Sequence, residues 1–285
     1  MTRCVGVIIY LINLIFTEGY NILAVVPSPY KSHYAIVDPL LMRLSELGHE
    51  VTVYNPFIKN KTIPRYTEHD TSQCLLSAIS MKRPIDNTFT LFKNPYSAIK
   101  RIFFYSINEK MIMECGPLYK LLNSTKKFDL LIAESFNLDI FLIYANKFQI
   151  PIITYFSANI LFPWLADKMQ NPQNPSYVPV VIIGFSSNMT FIEKVTNTLI
   201  YAFSLFYHNF FILPKYEEVN KRLGGPSTRP LQDIIRNTSI LFFNSHSSFT
   251  SITPLVPTVI EIGGIHIKPP VILPKVCILN NYRCY

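Results

Sequence analysis

The sequence predicts an α/β fold, a doubly wound parallel sheet with helices on both faces. Three observations carry this. Short apolar runs alternate with longer segments of helical spacing. The first alternation, Tyr20 to Tyr54, is a complete strand–helix–strand unit. No internal repeat competes with that order.

Taken in order, Ile22–Val26 is β-branched and apolar, bounded by Pro27 and Pro29, and reads as a central strand. Asp38–Leu47 carries Leu40, Leu44 and Leu47 at helical spacing, and Gly48 closes it. Pro39 suits the first turn of that helix, where a missing N–H costs nothing. Glu50–Tyr54 alternates as a second strand, so the unit is parallel with a right-handed crossover. Residues 55–90 are polar and mixed, with a helix expected over Ser72–Met81. Ser97–Leu122 reads as a long helical region rich in Ile, Phe, Tyr and Met. Phe128–Ala133 is a buried strand ending at Glu134, Asp139–Phe148 a helix, and Ile152–Phe156 a strand opened by Pro151. Trp164 to Pro179 reads as loop. Met189–Leu223 is long, aromatic and helical, closed by Gly224-Gly225-Pro226, with Pro214 expected to break or kink it. Ser239–Phe243 and Thr258–Ile262 add two short strands.

The chain has 285 residues, 49% hydrophobic and 15% charged, enough to bury a large core and against disorder. Its formal charge of +8 is spread out, with no arginine-rich block or zinc-finger spacing, which argues against nucleic-acid binding. A diffuse affinity for an anionic membrane or ligand is compatible with that excess. Residues 1–19 read as a signal peptide: Arg3, a nearly continuous apolar Val5–Phe16, then Thr17-Glu18-Gly19. Entry to the secretory path makes the acceptor patterns at Asn60, Asn123, Asn188 and Asn237 meaningful as glycosylation candidates. Cys74, Cys115, Cys277 and Cys284 lack metal-ligand spacing and leave one or two disulfides open.

The motifs PSPYKSH, PLLMRLSELGHEVTVYNP, FDLLIAESFNLDIFL, NPQNPSYVP, FFNSH and VPTVIEIGGIHIKPP occur in that order. Together they resemble the opening half of animal UDP-glycosyltransferases, most closely the insect members. The resemblance runs from about Tyr20 to Lys275, and Thr253 sits where the family usually has arginine. It implies the Rossmann-like amino-terminal domain of a two-domain GT-B glycosyltransferase, with residues 20–275 binding the acceptor. The family's donor signature and membrane anchor are not found, and residues 276–285 (VCILNNYRCY) read as an aberrant tail.

The implied activity is inverting transfer of a hexosyl group from a UDP-sugar to a hydroxyl of a small lipophilic acceptor. The UDP-sugar is a co-substrate, and no cofactor or metal is implied. The alternative is a catalytically inactive truncated isoform, a ligand-binding or regulatory module pairing with full-length homologues. The implied location is the lumen of the endoplasmic reticulum, or secretion.

Such a transfer needs a base for the acceptor hydroxyl, and an imidazole titrates near neutrality and has two distinct nitrogens. By resemblance His33 is that base, in a loop just ahead of a helix. An acidic partner should hold its ring. Glu134 matches by register the position where the family's strand commonly ends in aspartate, and Asp139, five residues on, is the acid of the usual type. Both stand as candidates. His49 and His246 read as turn residues, and His266 receives no role. Phe103, Phe104, Tyr105, Phe162, Pro163 and Trp164 are aromatic-run positions that pack in a core or line an acceptor pocket. The run from Phe203 to Phe211 is a candidate membrane-surface contact. The loop PSPYKSH holds no glycine, so the dinucleotide fingerprint of an oxidoreductase is missing.

Overall fold

A computed structural model describes residues 19–28, 30–74, 115–135, 139–158, 161–180, 183–225, 228–248, 250 and 253–268. The leader up to residue 18, most of the expected Ser72–Met81 helix, the Ser97–Leu122 region before Cys115, Phe103–Tyr105, Cys277, Cys284 and the tail lie outside the described residues.

Among the described residues, seven strands form one sheet: β1 Asn21–Val25, β2 Glu50–Asn55, β3 Tyr66–Asp70, β4 Leu130–Glu134, β5 Ile152–Ser157, β6 Ile240–Phe243 and β7 Val259–Glu261. They lie in the order β3-β2-β1-β4-β5-β6-β7, and every pair is parallel. This is the doubly wound α/β sheet expected from the strand–helix alternation. The helices between them are α1 Lys31–Glu46, α2 Gly116–Leu122, α3 Ile143–Lys147, α4 Pro163–Lys168, α5 Phe191–Tyr207, α6 Leu213–Gly224 and α7 Leu231–Arg236. A 3-10 turn, Asp139–Leu142, leads into α3.

Central parallel strands are covered on both faces, so their runs are apolar without alternation. Successive side chains still point to opposite sides. Leu23, Val25, Leu131, Ala133, Ile153 and Tyr155 therefore join one core, and Ile22, Ala24, Ile132 and Phe156 join the other. α1 covers the second with Ile36, Val37 and Leu41. Each fully buried leucine or isoleucine contributes about 1.5–3 kcal/mol of transfer free energy.

Several boundaries differ from expectation, each for a local reason. α1 begins at Lys31, not Asp38, so His33 lies within its first turn and Pro39 in its interior. The apolar face on either side of Pro39 is buried, and that packing outweighs the lost hydrogen bond. Gly48, at φ 98°, supplies the left-handed residue after the helix. The segment read as loop from Trp164 contains α4, opened by Pro163 in its first turn.

The α-helical hydrogen-bond pattern of the long segment is interrupted just ahead of Pro214, in keeping with the break expected there. The segment passes from α5 through one π turn, His208–Ile212, into α6, whose second residue is Pro214. The Leu213 N–H bonds the His208 carbonyl, the five-residue step of a π turn. β3, in the polar stretch 55–90, and α7 were not anticipated. β3 is an edge strand whose YTEHD carries little apolar signal. Cys74 and Cys115, 41 residues apart, form a disulfide.

Candidate functional site

Strand order reverses between β1 and β4. From β1 the chain moves outward to β2 and β3, then returns to β1's other side with β4. In open α/β sheets, ligands bind in the crevice beyond the carboxyl ends at such a point. His33 reaches it from the first turn of α1, which follows β1, and Glu134 is the last residue of β4.

The two side chains meet. His33 Nδ1 contacts Glu134 Oε1, with the imidazole 11% exposed and the carboxylate fully buried. An ionised carboxylate only accepts, so this contact places the ring proton on Nδ1 and leaves Nε2 as the basic nitrogen. Ser28 Oγ lies 3.4 Å from the same Nδ1 and accepts from the Tyr30 backbone N–H. The Tyr30 ring packs at 5.1 Å from the imidazole, and the His33 N–H bonds the Tyr30 carbonyl at 2.9 Å. Among the described residues Glu134 Oε2 is buried without a hydrogen-bond partner.

A second cluster clamps the same end of α1. Lys59 Nζ, from the segment after β2, donates to Asp38 Oδ1 at 2.5 Å and Tyr34 Oη at 2.8 Å. It also lies over the Tyr34 and Tyr66 rings, 5.1 and 4.7 Å from their centroids. Glu68 on β3 accepts from Tyr34, Asn55 and the Lys59 backbone. Burial works against the Lys59 charge, but the Asp38 carboxylate holds its pKa above the ordinary lysine value. These contacts tie the turn that carries His33 to the sheet edge.

Asp139 is not part of the His33 pair. It is fully buried and surrounded by donors: Tyr155 Oη at 2.8 Å from Oδ1, Lys168 Nζ on Oδ2, and His208 Nε2 at 3.2 Å from Oδ2. Tyr155 packs with Leu131 and Ala133, whereas Glu134 follows the parity of Ile132 beneath α1. The two acids therefore serve opposite faces of the sheet. Burial alone would raise the Asp139 pKa, but the Lys168 charge and His208 outweigh it and hold it well below the carboxylate range. Burial and then Lys168 push the His208 pKa down. Burial also lowers that of Lys168, against the pull of Asp139. Phe162, Trp164 and His208 form a parallel stack with centroid spacings of 4.7 and 6.1 Å. Phe162, Pro163 and Trp164 are buried.

Lys168, His208, Tyr155, Lys59 and Tyr34 escaped sequence reasoning, because the contacts that join them to Asp139 and to each other span 16 to 69 residues. The one available signal was a histidine inside an apolar helical run. His49 accepts the Tyr20 N–H at Nδ1, and His246 accepts that of Ser248, both as turn residues. Asn60, Asn123, Asn188 and Asn237 are all exposed. Among the described residues, no group of three or more His, Cys, Asp or Glu could hold a metal ion.

The family model for UDP-glucoronosyl and UDP-glucosyl transferase matches residues 22–281. UDP-glycosyltransferase UGT5 of Dactylopius coccus is 44% identical over 265 residues, covering 90% of this chain and 49% of that one. UDP-glucosyltransferase 2 of the same species is 34% identical, over 90% and 50% respectively. Human UDP-glucuronosyltransferase 1A8 is 27% identical, again over 90% and 50%. The chain spans about half the length of the curated relatives it matches. The crystal structure of LpCGTa in complex with UDP is 12% identical, covering 92% of this chain and 56% of that one, with a TM-score of 0.37.

Proposed function

The chain belongs to the UDP-glucoronosyl and UDP-glucosyl transferase family, and we propose that it supplies the acceptor side of an inverting sugar transfer in which His33 is the base. The observation that supports this is the His33–Glu134 pair at the point where strand order reverses. In the proposed step, Nε2 takes the proton of an acceptor hydroxyl. The oxygen attacks the anomeric carbon of the UDP-sugar, and UDP departs with the electrons of the broken bond. The imidazolium so formed faces the Glu134 carboxylate, which offsets its charge. A positioned base of this kind contributes about 10²–10⁴-fold to a rate. The acceptor is a small lipophilic molecule bearing a hydroxyl, and the donor is a hexose linked to UDP.

The proposed location is the lumen of the endoplasmic reticulum or outside the cell. The Cys74–Cys115 disulfide supports it, since such bonds persist in oxidising compartments. The four exposed sequons are the proposed glycan sites.

A second reading treats the chain as a lipophilic-ligand-binding or regulatory module.

Protection of His33 tests the base assignment. The purified chain is incubated with 1-naphthol, and carbethoxylation of His33 by diethyl pyrocarbonate is followed by mass spectrometry. Saturable protection of His33 is expected. Saturable naphthol binding that leaves His33 fully reactive would remove it from the acceptor site. Transfer from radiolabelled UDP-glucose to 1-naphthol by this chain joined to the half of UDP-glycosyltransferase UGT5 that it does not cover then separates the two readings: the first predicts product that H33A abolishes, the second predicts binding without product.

A further inference from the structure

The first turns of α1 carry His33 without the usual support at a helix end. The N-cap residue, Tyr30, makes no side-chain cap, and the first turn holds no acidic residue. Lys31 instead sets a positive charge at the positive end of the helix dipole. Two turns on, Pro39 brings no N–H to the Ala35 carbonyl. Ile36 and Val37 bury this stretch against the sheet, but apolar contact is non-directional and does not by itself fix the rotation of a helix.

Directional contacts come from one side chain outside the helix. Lys59 Nζ donates to Tyr34 and to Asp38, which stand four residues apart on one face of α1. The same nitrogen reaches Tyr66 Oη at 3.3 Å and Glu68 Oε1 at 3.5 Å, both on β3. Glu68 in turn accepts from Asn55 at the end of β2 and from the Lys59 backbone N–H. The Lys59 side chain is 15% exposed and that of Glu68 10%, so solvent does not loosen this link as it does a surface ion pair.

Tyr34 follows His33 directly and leaves the helix about 100° further round its axis. One side chain is hooked to Lys59 and its neighbour to Glu134. A turn held at two such points resists rotation, because swinging Tyr34 off Lys59 carries the imidazole off the carboxylate. We propose that Lys59 is a positioning residue for His33, fixing the rotation of the first two turns of α1 so that the ring stays on Glu134. The bearing of this on sugar transfer rests on His33 being the base. The placement of the ring does not, and it is read on the ring itself.

The variant K59M tests it, followed by 15N-resolved NMR of His33 and by carbethoxylation of each histidine. The single Nδ1-protonated tautomer of the unaltered chain should give way to a mixture. The rate at His33 should rise about threefold or more, the factor that one net hydrogen bond is worth. The rate at His246, on the far side of the sheet, should stay as it was. K59R keeps a donor to Tyr34 and Asp38 and should restore the single tautomer. Y34F/D38N breaks the same link from the helix side, leaves Lys59 beside Glu68, and should match K59M; it carries the test if K59M does not fold. An unchanged tautomer and rate at His33 in either variant overturns the proposal. So does an equal rise at His246, which would make Lys59 a residue of general stability. A K59M effect on a His33 that 1-naphthol fails to protect would uphold the positioning and remove the base role. Protection by 1-naphthol with no K59M effect would do the reverse.

Discussion

Glu134 and Asp139 stand five residues apart in the sequence and serve opposite faces of the sheet. Glu134 meets His33 beneath the first turn of α1. Asp139 is enclosed by Tyr155, Lys168 and His208 on the other side. The first acid is placed to orient the His33 imidazole, and the second joins three distant segments in a buried network.

If Glu134 orients His33, its loss should free the ring. In 15N-resolved NMR near pH 8, the unaltered His33 should show one neutral tautomer, protonated at Nδ1. E134A should show a mixture of both. A single unchanged tautomer in E134A would mean that Ser28 or the backbone, not the carboxylate, sets the ring.

Asp139 should matter for stability. D139N removes the charge opposite Lys168, a side chain 6% exposed, and leaves a buried cation unpaired. Losing one member of a buried ion pair costs about 3–5 kcal/mol. Urea unfolding should show a loss of that size, and a loss below about 1 kcal/mol would contradict the enclosed geometry.

The same network predicts a direction with pH. The His208 pKa is lowered from 6.5 in the folded state, so the unfolded chain binds more protons as pH falls below that value. Stability should therefore decline below about pH 6.5, with a slope of at most about 1.4 kcal/mol per pH unit for this group. His69, also lowered by burial, adds in the same direction. Asp139, lowered from 3.8, adds a further loss below about pH 4. Thermal melts between pH 7.5 and 5.5 should show the decline, and H208Q should flatten it. An undiminished slope in H208Q would assign it elsewhere.

The Cys74–Cys115 bond closes a loop of 41 residues. The chain-entropy relation gives about 4 kcal/mol for a loop of that length. C74S/C115S should lower the midpoint of unfolding accordingly. The unaltered chain in reducing agent should match it.

Burial periods and turn residues made most strands legible, because each strand's apolar run is a local property. β3 was missed because YTEHD is a polar edge whose pairing comes wholly from β2. The start of α1 was missed because Pro39 looked like a first-turn residue, whereas packing on both sides of it carries the helix back to Lys31. His33 was legible through its position after the first strand and through the motifs around it. Its partner was not: two acids lay within reach of the same strand end, and neither spacing nor residue type separates them.

By itself the sequence determined the parallel α/β order, the family and the arrival of His33 at the carboxyl end of the first strand. These depend on runs and motifs that a few neighbouring residues define. The tertiary structure alone decided which acid meets His33, since strand parity sends Glu134 to one face while the turn after it carries Asp139 to the other. It also decided that α5 turns its apolar side outward. That depends on Asn197 finding three backbone partners 17 to 22 residues away, which no local pattern encodes.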